Sequence, residues 1–189
     1  MFMADALPHW ARHSDTPVDL VVHEDLFALG AADYDVLVTP RDCLPQGATG
    51  IEIGRIAVGL FGAPSYLADH PFSCGAEPLK GHLLIRASGS LARIAHYRWL
   101  EEQGGRTAMM SSSPLAQREA CARGQGVALL PVGLAEGDPR LQRIEKFTFE
   151  DIPVWVLAGD RDASDPRVAS FLRWARRHFV DRRPGRADR

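Results

Sequence analysis

Two short hydroxyl-rich segments hold most of the chemistry this sequence offers. Arg86-Ala87-Ser88-Gly89-Ser90 follows the apolar run His82-Leu83-Leu84-Ile85, and Ser111-Ser112-Ser113-Pro114 follows the run from Thr107 to Met110. In each, a strand-like run gives way to serines with a Gly or Pro, and a helical pattern begins. Serine oxygens and unpaired backbone N–H groups then meet at a helix N-terminus, where partial positive charge favours an anion or carboxylate. Two readings stand side by side: Ser90 and Ser113 as plain N-caps, or both corners as parts of one anion-binding edge. A third polar run, Thr39, Arg41, Asp42 and Cys43, closes the apolar stretch at 35–39. Arg41 can pair there with an acidic ligand or with its neighbour Asp42.

Other chemistries lack their residues. There is no GxSxG elbow, no GxxxxGK[ST] phosphate loop, no GxGxxG after a strand and no HExxH. Gly124-Gln125-Gly126 follows a helical pattern and precedes a strand, the reverse of a dinucleotide site, and reads as a helix C-cap with a tight turn. His82 and His96 read as partly buried structural histidines, not catalytic bases. Cys43, Cys74 and Cys121 are far apart, with no CxxC pair. That pattern suits a reducing cytosol, gives Cys43 no resolving partner for redox sensing, and leaves no zinc-like spacing. No metal or cofactor is expected. A net charge of −2 argues against nucleic-acid binding by the chain as a whole. The cluster Arg176, Arg177, Arg182, Arg183, Arg186 and Arg189 reads as a solvated helix end and a frayed tail. No apolar run reaches the ~18 residues of a membrane span. The start, Met1-Phe2-Met3-Ala4-Asp5, lacks the pattern of a signal peptide, so a soluble cytoplasmic protein is expected.

A length of 189 residues suits one compact domain or two small lobes. Short Val/Leu/Ile-rich runs at 18–22, 35–39, 82–85, 107–110, 127–130 and 154–157 read as strands buried on both faces. Ile51 to Phe61 is long for one strand and predicts a bend at Gly54 or Gly59. Helical patterns cover the first ten residues (with Phe2, Ala6 and Trp10 recurring every four, and Pro8 placed awkwardly), 25–32, 91–103 and 114–123. The last helix is capped by Ser164 or Asp165, with Val168, Phe171, Leu172, Ala175 and Phe179 on one face. Strand–helix alternation predicts an α/β fold with a mainly parallel, helix-covered sheet, and strand C-terminal edges line the ligand crevice of such sheets.

Taken in order, several segments resemble the effector-binding domain of LysR-type transcriptional regulators. They are Asp33-Tyr34-Asp35-Val36-Leu37-Val38, Cys43-Leu44-Pro45, Val58 to Leu67 (VGLFGAPSYL), Glu77 to Ile85 (EPLKGHLLI), Ala122 to Pro131 (ARGQGVALLP), and Ile152-Pro153-Val154-Trp155 followed by Pro166 to Leu172. The resemblance spans about residues 2 to 180 and implies two Rossmann-like lobes joined by two crossing strands, as in type 2 periplasmic binding proteins. On it, lobe I is 1–61 plus 157–180, lobe II is 62–156, and 181–189 is a disordered tail. The crossings are implied near Gly59–Gly62 and Leu157–Gly159, and a small, anionic effector is implied between the lobes. The implied effector-binding residues are Thr39, Arg41, Ser88, Gly89, Ser90, Ser112, Ser113 and Pro131.

The resemblance further implies a homodimer or homotetramer that touches DNA only through a winged helix-turn-helix. That domain and its linker helix are not in these 189 residues. Nor is the strand with which the family domain opens, which would lie between 18–22 and 35–39. Its omission is expected to leave backbone groups unpaired unless the chain is a piece of a longer protein, a partner fills the gap, or lobe I is marginally folded. The first is favoured, because Met1-Phe2-Met3 reads as mid-helix. A solute-binding protein of the same architecture would need an export signal. An enzyme on it would need an acid or base at the crevice, where this chain offers hydroxyls, amides and one arginine.

Overall fold

The computed structural model describes residues 2–23, 29–30, 32–45, 50–72, 77–159 and 164–181. In chain order its elements are α1 (Phe2–Ala11), β1 (Val36–Pro40), a 3-10 turn (Arg41–Cys43), β2 (Ile51–Ile56), β3 (Val58–Gly62), α2 (Pro64–Asp69), β4 (Leu83–Ala87) and a 3-10 segment (Gly89–Arg93). There follow α3 (Ala95–Glu101), β5 (Arg106–Ser111), α4 (Pro114–Ala122), β6 (Val127–Pro131), α5 (Val132–Ala135), β7 (Gln142–Arg143), β8 (Ile152–Ala158), α6 (Pro166–Arg176) and a π-helical turn (Arg177–Asp181). The fold is two-lobed α/β, as expected. One unit is drawn from residues 1–39, 44–54 and 154–189, the other from 40–43 and 55–153.

The first unit contains the sheet β1-β8-β2 and the helices α1 and α6. Asp165 caps α6, its carboxylate accepting from the Arg167 N–H at 2.7 Å, and Pro166 fits the first turn, where no N–H is needed. The buried stripe Val168, Phe171, Trp174 and Ala175 packs on α1. Trp10 meets Phe171 and Trp174 edge-on at centroid separations of 5.2 and 5.4 Å, and the Trp174 indole N–H donates to His9 Nδ1 at 3.0 Å. Leu172, expected on this stripe, is only half-buried, and Trp174 does the filling. Helix α1 runs through Pro8, which sits on its exposed side.

The second unit is built on the sheet β5-β4-β6-β3-β7. Strands β5, β4 and β6 are mutually parallel, while β3 runs antiparallel to β6 and to β7. The sheet is therefore mixed, where strand–helix alternation predicted a mainly parallel one. Leu60, Phe61, Ile85 and residues 127–130 are nearly solvent-free. Phe61, Ile85, Ala128 and Leu130 form a core cluster with Ala120 and Cys121 of α4. At the end of α4, the Gly124 N–H donates to the Cys121 carbonyl, and a Cβ on Gly126 would run into the carbonyl of Leu83. Gly124-Gln125-Gly126 is thus the helix stop and tight turn that the sequence predicts.

Three local expectations are corrected. Residues 18–22 form no strand; Val18, Leu20, Val21 and Val22 are exposed at 42 to 85%, and among the described residues no strand pairs with them. The run 51–61 breaks at Ala57, not at a glycine, where the Ala57 carbonyl accepts from Val132 N–H at 2.8 Å and so leaves the strand pattern. The helix expected over 91–103 starts as the 3-10 segment Gly89–Arg93 and becomes α-helical only at Ala95, since Ile94 takes an extended conformation. Most of the helix expected at 25–32, and the tail beyond Asp181, lie outside the described residues.

Candidate functional site

Parallel pairing decides which polar groups meet. The register Ala87↔Ser111 joins β4 and β5 at their carboxyl ends, and β6 runs parallel on the other side of β4. The segments Ser88–Ser90, Ser111–Ser113 and Pro131 therefore leave one edge of the second unit's sheet. The backbone N–H of Ser88 donates to the Ser111 carbonyl at 3.1 Å, holding the two serine corners together.

Ser88 leads into the 3-10 segment in an extended conformation, and its side chain makes no capping hydrogen bond. Gly89 has φ +58°, a left-handed conformation that glycine adopts without steric cost. Ser90 is 4% exposed. Ser113 is the N-cap of α4, accepting from Ala116 N–H at 3.5 Å, and its own N–H donates to Ser111 Oγ at 3.1 Å. Of the two N-caps considered, Ser113 is one. Ser90 is not, because the first N–H of α3, on Ala95, donates instead to Asp42 Oδ2 at 3.0 Å.

That bond fixes the turn Arg41–Cys43 beside the Gly89–Arg93 segment. The Cys43 thiol faces the Ser90 carbonyl at 3.7 Å. Burial, with the Asp42 carboxylate next in effect, pushes its pKa up to about 11, so Cys43 is a protonated packing residue. Arg41 is exposed at the head of this turn. Thr39 belongs to the first unit, on β1, and is 1% exposed.

His82 and His96 occupy structural positions. His82 is 3% exposed and stacked on Phe72, with its pKa lowered by burial and by the neighbouring His70. His96 Nε2 donates to the Glu150 carbonyl at 2.7 Å. Sequence reasoning missed Gln117, which is fully buried and donates from Nε2 to the Ser111 carbonyl at 2.6 Å. The available signal was its spacing: 117, 120 and 121 share one helix face, so an amide stands where an apolar residue is expected. Among the described residues no cluster of His, Cys, Asp and Glu could hold a metal ion, and no helix is long and apolar enough to cross a membrane.

The model of the LysR substrate binding domain matches residues 1–180. The chain belongs to that family. A LysR domain of this kind is the ligand-sensing, effector-binding part of a transcriptional regulator. Solved structures agree in fold. The regulatory domain of AphB from Vibrio vulnificus is 19% identical, with 93% of this chain and 91% of that one covered and a TM-score of 0.69. The regulatory domain of CrgA from Neisseria meningitidis is 19% identical over 94% of this chain and 91% of that one, at a TM-score of 0.71. Full-length AphB, the Vibrio cholerae virulence activator, is 19% identical at a TM-score of 0.72; 95% of this LysR domain aligns with it, covering 64% of its chain. No curated protein matches by sequence.

Proposed function

We propose that this LysR domain senses a small anion, a carboxylate or a group of similar charge and size, held at the carboxyl edge of β5, β4 and β6. Ser88, Gly89, Ser90, Ser112, Ser113 and Pro131 supply hydroxyls and backbone groups, and Arg41 supplies charge. The observation that carries this reading is the Ala87↔Ser111 register, which sets two serine corners side by side at the start of α4. N–H groups at such an end favour negative charge. Arg41, exposed at the head of the turn Arg41–Cys43, adds a long-range attraction.

The test is a thermal-shift screen of the chain against aromatic acids, amino acids and sulfate, followed by titration of whatever stabilises it. Ser88→Ala and Ser112→Ala should each weaken binding by roughly 1 kcal/mol for a lost charge-assisted hydrogen bond. Ser113→Ala also removes a cap, so its stability is measured separately. Stabilisation by none of these acids, or wild-type affinity in both serine variants, would sink the assignment.

In the whole regulator, effector binding would shift how subunits of a homodimer or homotetramer pack, and DNA-binding domains would report that shift. This chain alone should then retain no operator specifically in a gel-shift assay at moderate salt.

A further inference from the structure

The carbonyl oxygen of Ser111 accepts from two elements at once. The Ser88 N–H reaches it from the end of β4 at 3.1 Å, and the Gln117 side-chain amide reaches it from the first turn of α4 at 2.6 Å. Gln117 is 0% exposed, on a helix face it shares with Ala120 and Cys121. Enclosing an amide there carries a desolvation cost that a leucine or methionine would avoid. Only half of the amide is satisfied: Gln117 Oε1 is buried with no hydrogen-bond partner among the described residues. The side chain therefore sits at the serine edge with one group clamped and one acceptor unused.

We infer that Gln117 is the positioning residue of the effector edge, an inference that rests on the reading above. By holding the Ser111 carbonyl against the Ser88 N–H, it fixes the Ser88–Ser90 and Ser111–Ser113 corners relative to each other, so that both address one anion. Preorganised corners lose less freedom on binding than corners that must be brought together by the ligand. Gln117 acts through Ser111; it is not itself assigned a contact with the anion.

The experiment uses the 189-residue chain as wild type, Gln117→Met, Gln117→Leu and Gln117→Glu. Amide exchange is followed by NMR, and sodium benzoate and sodium sulfate are titrated as probes. In the Met and Leu variants the Ser88 amide should exchange about tenfold faster, and probe affinity should fall about tenfold, as for one lost hydrogen bond. Amides of Val127–Leu130 should keep their protection and report that the fold is intact. Gln117→Glu is the rescue: a carboxyl buried there stays protonated and can donate to the Ser111 carbonyl, keeping affinity within about threefold of wild type. A purely packing role would rank Met and Leu above Glu. Unchanged Ser88 exchange in Met and Leu, wild-type affinity in both, or a loss in Glu equal to theirs overturns the inference. If neither probe moves any amide of the two corners in wild type, the site reading fails by itself, and Ser88 exchange still decides whether Gln117 couples the corners.

Discussion

The hydroxyl of Tyr66, on α2, accepts a hydrogen bond from the backbone N–H of Leu83, the first residue of β4, at 2.8 Å. Tyr66 is 5% exposed, and this bond ties the short helix after β3 to the strand that leads into Ser88. Burial raises the Tyr66 pKa and keeps the phenol neutral. Tyr66→Phe leaves the part-buried Leu83 N–H without its partner. It should cost about 1 to 2 kcal/mol, read as a lowered midpoint in urea with unchanged slope. A variant as stable as wild type would mean that water replaces the hydroxyl.

An acid limb of stability is expected from the contact between α4 and the turn before β7. Asp138 accepts from Arg118 at 2.6 Å and from Arg140 at 2.7 Å, and Arg140 also donates to Glu119 at 3.0 Å. Hydrogen bonds from Arg140 hold the Asp138 carboxyl well below its usual range and lower that of Glu119. For carboxyls with depressed folded pKa values, the stabilisation is complete above their ordinary values of 3.8 and 4.5 and is lost as pH falls through the folded ones. Denaturation at pH 6, 4 and 2.5 should show stability dropping across the last interval. Asp138→Asn should flatten that drop, and a parallel drop in the variant would assign it to other groups.

Periodicity and composition made much of the second unit legible, because β3, β4 and β6 are largely apolar runs and α4 starts at Pro and stops at Gly124; β5, expected to be buried on both faces, is an edge strand and mostly exposed. β4, β5 and β6 fall within two residues of the expected 82–85, 107–110 and 127–130. Pairing is different, since a run of apolar residues does not state its direction, and the antiparallel pairing of β3 with β6 is visible only in the structure. At the site, a Ser ahead of a helix reads the same whether it caps, as Ser113 does, or leaves that role to a residue distant in sequence, as Ser90 leaves it to Asp42. Gln117 is the harder case. Its chemistry depends on a carbonyl six residues back that becomes a shared acceptor only once β4 and β5 pair.

Both described thiols should be slow to react. Cys121 is 0% exposed, donates to the Phe61 carbonyl at 3.2 Å and is pushed up to about 12 by burial; Cys43 stands at about 11. At pH 8 the Cys43 thiolate is then roughly one part in a thousand. Iodoacetamide labelling, followed by mass spectrometry of the Cys43 and Cys121 peptides, should be negligible in native buffer and complete in urea. Native labelling of Cys43 at the rate of a free thiol would reverse this assignment.

The segment 14–23 gives the last prediction. Val18, Leu20, Val21 and Val22 have strand composition, yet they lie in no strand, and Val22 is 85% exposed. In the first unit's sheet, β1 is at an edge, with β8 as its neighbour. Among the described residues no hydrogen bond holds the amides of residues 18–22. Exchange at these amides should therefore approach the rate of an open chain, orders of magnitude faster than at Val127–Leu130 in the centre of the other sheet. Substitution here should also be mild: Val22→Thr removes no buried contact and should change stability by less than about 0.5 kcal/mol. The two measurements together separate two states of this segment. Fast exchange with a neutral Val22→Thr fits an unpaired stretch. Slow exchange from a monomer, or a Val22→Thr cost above about 1 kcal/mol, would require these residues to pair and bury in solution, in an arrangement the structure does not contain.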